Sequence, residues 1–203
     1  MTRQTLRILM SSLVLFLGGC SILPQSDPLT VYQLPAVSGA TASAISGLST
    51  KSLTVFAPYA NSFLDTGRIA VIPSGNQLSV YEGSRWSDAV PRVFRDRLIQ
   101  DFRRFTDLKA VGSEGDNLLA SYQLRGDLGA FQVEYRDGQP TAVIDFDASL
   151  FDGQSGRVIA SQRFSVAEPV DGRQVPEVVQ AFGRASTRIN NDILQWVYRV
   201  AGK

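Results

Sequence analysis

The feature that most constrains the fold of this 203-residue chain is a long stretch of period-two alternation in its second half. Apolar residues alternate with polar ones in three runs: Phe131, Val133 and Tyr135; then Ala142, Ile144, Phe146, Ala148 and Leu150; then Val158, Ala160, Phe164 and Val166. Such alternation is typical of strands with one buried and one solvated face. Asp137-Gly138 favours a tight hairpin, and residues 152–156 favour a longer loop. The pattern predicts three antiparallel strands in a meander.

Two segments with helical periodicity flank this meander. The first runs from about Asp88 to Phe105, with Ser87 as the expected N-cap and Pro91 in the first turn. The second runs from about residue 175 to residue 200. Gly183 in its interior costs about 1 kcal/mol relative to alanine, which indicates close packing on the sheet. Both segments carry an apolar stripe that must pack against strands.

Short β-rich runs before the first helix predict further strands. Residues 29–34 alternate up to Pro35, and residues 52–56 form a second run. Residues 68–72 and 77–81 are separated by turn residues and predict a hairpin. Together these elements predict an α+β fold, with a mostly antiparallel sheet of about six strands and two main helices packed on one face.

The amino-terminal 20 residues have the pattern of an export signal. Arg3 and Arg7 precede an apolar core, which ends in the lipobox-like sequence Leu17-Gly18-Gly19-Cys20. The core of about 12 apolar residues is too short for a membrane span, which needs roughly 20. We therefore expect cleavage before Cys20 and a thioether bond from its thiol to diacylglycerol.

The chain after this signal divides into a tether and one domain. Residues 21–50 predict an N-terminal tether, with the early strand at about 29–34 and a flexible loop at 36–50 that is rich in glycine, serine, alanine and threonine. The folded domain is expected over residues 51–203.

Composition excludes several classes of function. The loss of Arg3 and Arg7 with the signal leaves 18 basic against 19 acidic residues, a net charge of about −1. This balance argues against a nucleic-acid partner and against membrane attraction through net charge alone. The chain has no histidine and a single cysteine, so the residues for histidine- or cysteine-based metal sites and triads are missing. We expect no enzyme activity, no catalytic residue, no bound metal and no cofactor.

Acidic residues on the predicted meander are the nearest approach to a catalytic constellation. Asp145 and Asp147 lie two apart on one strand, hence on one face, and Asp127 is expected on the neighbouring strand. Paired carboxylates can perform acid–base chemistry or hold a hard cation. Without a nucleophile or a phosphate-binding loop beside them, the solvated face of a strand is the better interpretation.

The polar face of the first helix carries five arginines, Arg92, Arg95, Arg97, Arg103 and Arg104. One interpretation is a basic patch for phosphate or lipid headgroups. The other is a solvated face, because Arg92 with Asp96 and Arg97 with Asp101 have the i,i+4 spacing of helical ion pairs. The spacing favours the solvated face.

The segment from Tyr81 to Trp86 is predicted to connect a strand to the first helix. Loops held by rigid elements often carry recognition, and tyrosine, arginine and tryptophan are enriched at binding hot spots. Tyr81, Arg85 and Trp86 are thus candidate partner-binding residues. The alternative is that Trp86 packs the helix onto the sheet.

The sequence resembles the ABC-type transport auxiliary lipoprotein family. The resemblance is carried by Tyr32-Gln33-Leu34-Pro35 after the lipobox, and by Arg68-Ile69-Ala70-Val71, Leu78, Tyr81, Arg85-Trp86, Pro91, Leu98 and Phe102. It implies a non-enzymatic periplasmic domain. It also implies partners, namely an ABC permease, an ATPase and an MCE-domain (mammalian cell entry) protein that together move phospholipids or other hydrophobic compounds.

The resemblance leads to a specific expectation about location and role. Ser21, rather than aspartate, follows Cys20, and by similarity to sorted lipoproteins this implies delivery to the outer membrane. We expect a lipid-anchored protein on the periplasmic side of that membrane, docked on the MCE assembly. Two alternatives are a lipid-binding periplasmic carrier and a structural envelope lipoprotein.

Overall fold

The computed structural model describes residues 29–36 and 44–202, which form an α+β fold of eight strands and two α-helices. The strands are β1 Thr30–Tyr32, β2 Ser52–Val55, β3 Arg68–Ile72, β4 Ser79–Trp86, β5 Ala110–Ser113, β6 Tyr122–Arg136, β7 Gln139–Asp152 and β8 Val158–Pro169. The helices are α1 Val90–Phe105 and α2 Val175–Ala201. The predicted signal segment, Cys20 and residues 37–43 of the predicted loop lie outside the described residues.

The long strand β6 organises the sheet. One of its edges pairs antiparallel with β7 along nearly its whole length, and β7 pairs antiparallel with β8. Its other edge is shared by two strands, both parallel to it: β2 beside its first residues and β3 beside its last. Beyond β3 come β4 and then β1, so β1 and β8 lie at opposite edges of the sheet.

The predicted fold class is confirmed, with two differences in the sheet. The sheet has eight strands rather than about six. It is mostly antiparallel along its longest pairings but partly mixed, because β1, β2, β3 and β5 make parallel pairings. The four-residue strand β5, Ala110–Ser113, is too short to show a recognisable alternation.

The predicted meander is confirmed as β6, β7 and β8. Asp137 and Gly138 form its first turn with φ of 51° and 75°. Positive φ at both central residues is the requirement of the hairpin turn that matches the twist of antiparallel strands. The core faces of β6 and β7 meet in register, with Phe131 opposite Ile144 and Leu124 opposite Leu150.

Both helices pack on one face of the sheet, as the apolar stripes predict. The ring of Phe131 on β6 contacts Phe94 of α1 at 6.5 Å and Phe182 of α2 at 4.6 Å between centroids. Trp86 completes the cluster, with its ring edge-to-face against Phe131 and Phe182 at 5.8 and 5.5 Å. Edge-to-face aromatic pairs are favourable beyond their area of burial.

Three local predictions need correction. Ala89 rather than Ser87 occupies the N-cap position of α1, and its amide donates to the carboxylate of Asp88 at 2.7 Å. Gly183 packs closely as expected, but against the loop after β1 rather than against the sheet. Strand β4 continues to Trp86, so the predicted connecting segment that begins at Tyr81 is itself a strand.

Candidate interaction surface

The segment that leads from the predicted lipid anchor is fastened to the body of the domain at Pro35. Its carbonyl oxygen accepts a hydrogen bond of 2.6 Å from Nη1 of Arg97 on α1. On its other side lies α2, where a β-carbon added at Gly183 would come within 2.7 Å of the Pro35 ring. Since β1 also pairs with β4, this short segment contacts the sheet and both helices.

A buried polar cluster at the helix–helix interface holds this fastening in place. Nε of Arg97 donates to Oδ2 of Asp101 at 3.0 Å, and Nη2 donates to Thr187 at 3.2 Å. The same carboxylate oxygen accepts from Nδ2 of Asn190 at 2.7 Å. The side chains of Arg97 and Asp101 are only 6% and 9% exposed. Buried charges persist only when they are paired and hydrogen-bonded, as these are.

The remaining arginines of α1 are also largely occupied by protein groups. Arg92 pairs with Asp88 rather than with the predicted Asp96. Arg95 pairs with Asp96 and Glu114. The pairing of Arg97 with Asp101 is confirmed, but it is buried and not part of a solvated face. Arg103 donates to the carbonyl oxygen of Val111, and Arg104 lies over the ring of Phe105. Three of the five arginines are thus neutralised by carboxylates.

A second polar contact secures the end of the predicted flexible loop. The carboxylate of Asp107 accepts hydrogen bonds from the amides of Gly47 and Leu48 at 2.8 and 3.1 Å, and from the hydroxyl of Tyr198 at 2.7 Å. The hydrogen bond from the Gly47 amide, followed by that from Tyr198, lowers the pKa of Asp107 below its usual value. Burial raises the pKa of Tyr198 to about 12.

The three candidate partner-binding residues do not form one cluster. Trp86 is 0% exposed and belongs to the aromatic core. Tyr81 is half-buried, and burial together with the neighbouring Tyr135 raises its pKa to about 12. Arg85 is exposed. Because successive strand residues point to opposite faces, Arg85 lies on the outer face of the sheet and Trp86 on the helix face.

Arg85 forms a row with Val31 and Arg68, neither of which is among the predicted partner-binding residues. In the register of β1, β4 and β3, Val31 lies beside Arg85, and Arg85 lies beside Arg68. All three residues are exposed, with Val31 at 57%, and Leu29 just before β1 is 52% exposed. Within residues 29–36 and 44–202, neither arginine takes part in an ion pair. We call Leu29, Val31, Arg68 and Arg85 the β1-edge patch.

The predicted acidic residues meet on the outer face of the meander. Asp127 lies directly opposite Asp147, as expected, and Asp145 forms an ion pair of 2.9 Å with Arg163. In the part of the chain that the structure describes, no group of three or more histidine, cysteine, aspartate or glutamate side chains is arranged to bind a metal ion. The arrangement is that of a polar, solvent-facing strand surface.

A groove of about 350 Å³ runs between β8 and α2. Its lining includes Gln162, Ser165, Asp192 and Arg199, so its character is polar.

Neither α1 nor α2, the two α-helices of the described residues, has the length and apolar character that a membrane span requires.

Comparison with known proteins gives one family and several related structures. Residues 32–194 match the family described as ABC-type transport auxiliary lipoprotein component. Crystal structure neighbours include protein XCC0632 from Xanthomonas campestris, a DUF330 protein. It is 26% identical with a TM-score of 0.72, and the match covers 85% of this chain and 96% of that one. A second structure, 16% identical with a TM-score of 0.65, covers 84% of this chain and 99% of its own and supports the fold.

A curated relative extends the comparison to a longer protein. Protein bll6063 of Bradyrhizobium diazoefficiens is 29% identical over 145 residues, which is 71% of this chain. The matched stretch spans only 39% of that relative.

Proposed function

Since the chain belongs to the family of ABC-type transport auxiliary lipoprotein components, we propose that it serves an MCE-type system that moves phospholipids or other hydrophobic compounds across the envelope. In this proposal Cys20 carries the lipid and the anchor inserts into the periplasmic side of the outer membrane. The domain itself performs no catalysis. It docks on the MCE assembly, which works with an ABC permease and ATPase.

The observation that carries this proposal is the fastening of Pro35 between Arg97 and Gly183. Because β1 belongs to the sheet, the chain between Cys20 and Leu29, the residue before β1, is short. Nine residue steps span at most about 32 Å when fully extended. A lipid on Cys20 would therefore hold the domain close to the membrane surface.

Such a short connection suits a docking protein. When both partners are held at one membrane, a weak binding step becomes effectively intramolecular. The effective concentration of the tethered domain at its partner is then on the order of millimolar. An otherwise modest contact with a membrane-bound assembly then becomes persistent without any additional interface.

The alternative of a lipid-binding carrier receives less support from the interior. Trp86, Phe131 and Phe182 fill the centre of the helix–sheet interface with mutually packed rings. An acyl chain would have to displace this cluster. Because protein interiors are close-packed, that displacement would cost free energy.

Co-purification tests the docking. The tagged full-length lipoprotein is isolated from membranes after gentle detergent extraction and, in parallel, after chemical crosslinking. We expect the MCE protein in both eluates, and a Cys20→Ala variant to recover at least tenfold less because the effective concentration is lost. Absence of the MCE protein from both wild-type eluates contradicts the proposal.

Membrane fractionation tests the assigned membrane separately. We expect the wild-type protein in the outer-membrane fraction of a density gradient and Ser21→Asp in the inner-membrane fraction. This matched pair differs only at the position after the lipidated cysteine. Wild-type protein in the inner-membrane fraction would rule out outer-membrane delivery while leaving the transport role open.

A further inference from the structure

The β1-edge patch combines exposed apolar side chains with two adjacent arginines. Arg68 and Arg85 are directly opposite each other on β3 and β4. Like charges in this position destabilise a sheet, and the one hydrogen bond that the Arg85 side chain makes, from Nε to the carbonyl oxygen of Trp86 at 3.1 Å, does not neutralise its charge. Val31 lies beside Arg85 in the register of β1 and β4, and Leu29 immediately precedes β1; each is more than half exposed. The combination has the character of a binding surface for an anionic, partly apolar partner.

Charge is distributed unevenly across the outer face of the sheet. The arginine pair lies toward the β1 edge, whereas Asp127, Asp145 and Asp147 lie on the meander toward the β8 edge. On the meander, Arg163 pairs with Asp145 and lies opposite Asp147, so the carboxylates there are partly balanced, whereas Arg68 and Arg85 have no ion-pair partner among the described residues. In front of a negatively charged surface, such a distribution favours an orientation with the β1 edge inward.

The position of the anchor selects the partner. Leu29 lies nine residues after Cys20, so the patch is the part of the described domain that follows the anchor most directly along the chain. Within about 32 Å of a bilayer, the nearest extended anionic surface is the layer of phospholipid headgroups that holds the anchor.

We propose that the β1-edge patch rests on the anionic headgroups of the bilayer in which Cys20 is anchored. Arg68 and Arg85 contact phosphate groups while Leu29 and Val31 face the headgroup region. The domain then stands edge-on, with β8 and the polar groove beside α2 directed away from the membrane. This inference rests on the lipid anchor of the proposed function and adds an orientation to it.

The expected strength follows from the charge of the two arginines. A basic side chain near an anionic membrane surface contributes about 1 kcal/mol, which is a factor of about five. Neutralising both arginines should therefore weaken the contact about 30-fold. The contact should also weaken at high salt, because exposed charges are screened.

Hydrogen exchange on the vesicle-bound full-length lipoprotein tests the proposal. The protein is reconstituted into vesicles of phosphatidylglycerol or of phosphatidylcholine, and exchange is measured for peptides that cover β1 and β4. We expect slower exchange of β1 amides on phosphatidylglycerol. The difference should disappear in the Arg68→Gln/Arg85→Gln variant and persist in the corresponding double lysine variant.

Arg157 provides the matched control. It is exposed in the loop between β7 and β8, and among the described ion pairs it has no partner. We expect Arg157→Gln to retain the phosphatidylglycerol-dependent protection. Equal exchange of the vesicle-bound wild-type protein in both lipids would overturn the orientation alone. Failure of the protein to remain on either vesicle would overturn the anchor, and this inference with it.

Discussion

Arg97 donates a hydrogen bond of 2.6 Å to the carbonyl oxygen of Pro35, joining the first helix to a segment within the predicted tether. The two residues are 62 positions apart in the chain. The same guanidinium pairs with the buried Asp101. One side chain thus links the segment that follows β1 to the helical layer.

The first prediction concerns the buried cluster around Arg97. Arg97→Met removes the partner of a buried carboxylate and leaves Asp101 with only the amide of Asn190. Breaking a buried pair in this way costs about 3–5 kcal/mol, which urea unfolding would measure. The control is Arg92→Met, which removes an exposed helical pair with Asp88 and should cost less than about 1 kcal/mol. Equal losses in the two variants would contradict the assigned role.

The second prediction concerns the contact between α2 and Pro35. In Gly183→Ala the new β-carbon would lie 2.7 Å from Cγ and 3.0 Å from the carbonyl oxygen of Pro35. Overpacking costs typically about 1–3 kcal/mol, against a gain of about 1 kcal/mol in helix propensity. We expect a net loss of stability in urea, partly recovered by adding Pro35→Ala. If Gly183→Ala instead stabilised the protein, the segment at Pro35 would have moved away from the new β-carbon without cost, contrary to this prediction.

The sequence patterns predict the elements better than they predict the contacts between them. The alternation from Phe131 to Val166 and the two apolar stripes identify β6, β7, β8 and both helices, because each pattern reports a local period. The parallel pairings of β2 and β3 with β6 join distant segments and leave no local pattern. The extension of β4 to Trp86 is hidden for a related reason, since Gly83, with φ of 65°, interrupts the alternation.

The candidate interaction surface shows the same difference between local patterns, which the sequence reveals, and contacts between distant residues, which it does not. The spacing of Arg97 and Asp101 predicts their ion pair, but its burial depends on Thr187 and Asn190, about 90 residues further along the chain. The composition of the Tyr81–Trp86 segment identifies Arg85 as a surface candidate. Its neighbours Val31 and Arg68 become apparent only from the strand register.

The third prediction separates the core role of Trp86 from the surface position of Arg85. Trp86→Ala should lower the free energy of unfolding by about 3–5 kcal/mol, because it opens a cavity in the aromatic cluster. Arg85→Ala removes one hydrogen bond to the carbonyl oxygen of Trp86 and should lower this free energy by about 1 kcal/mol at most. Thermal unfolding of both variants under identical conditions compares them. A mild effect at Trp86 would contradict its place in the core.

The fourth prediction is the pH dependence contributed by Asp107. Its pKa is lower in the folded state, chiefly through the Gly47 amide, so the unfolded chain binds the proton more readily. The stabilisation is therefore complete above the ordinary aspartate pKa, and it is lost as the pH falls through the lowered one. We expect Asp107→Asn to show a shallower decrease in unfolding free energy on acidification than the wild type. An unchanged acid profile would rule out this contribution.

The central claim is that a lipid on Cys20 holds this domain at the membrane, and metabolic labelling with palmitate in growing cells tests it most directly. The account predicts that label enters the wild-type protein, and that none enters Cys20→Ala expressed at the same level. Wild-type protein that is produced, exported and unlabelled would contradict the account.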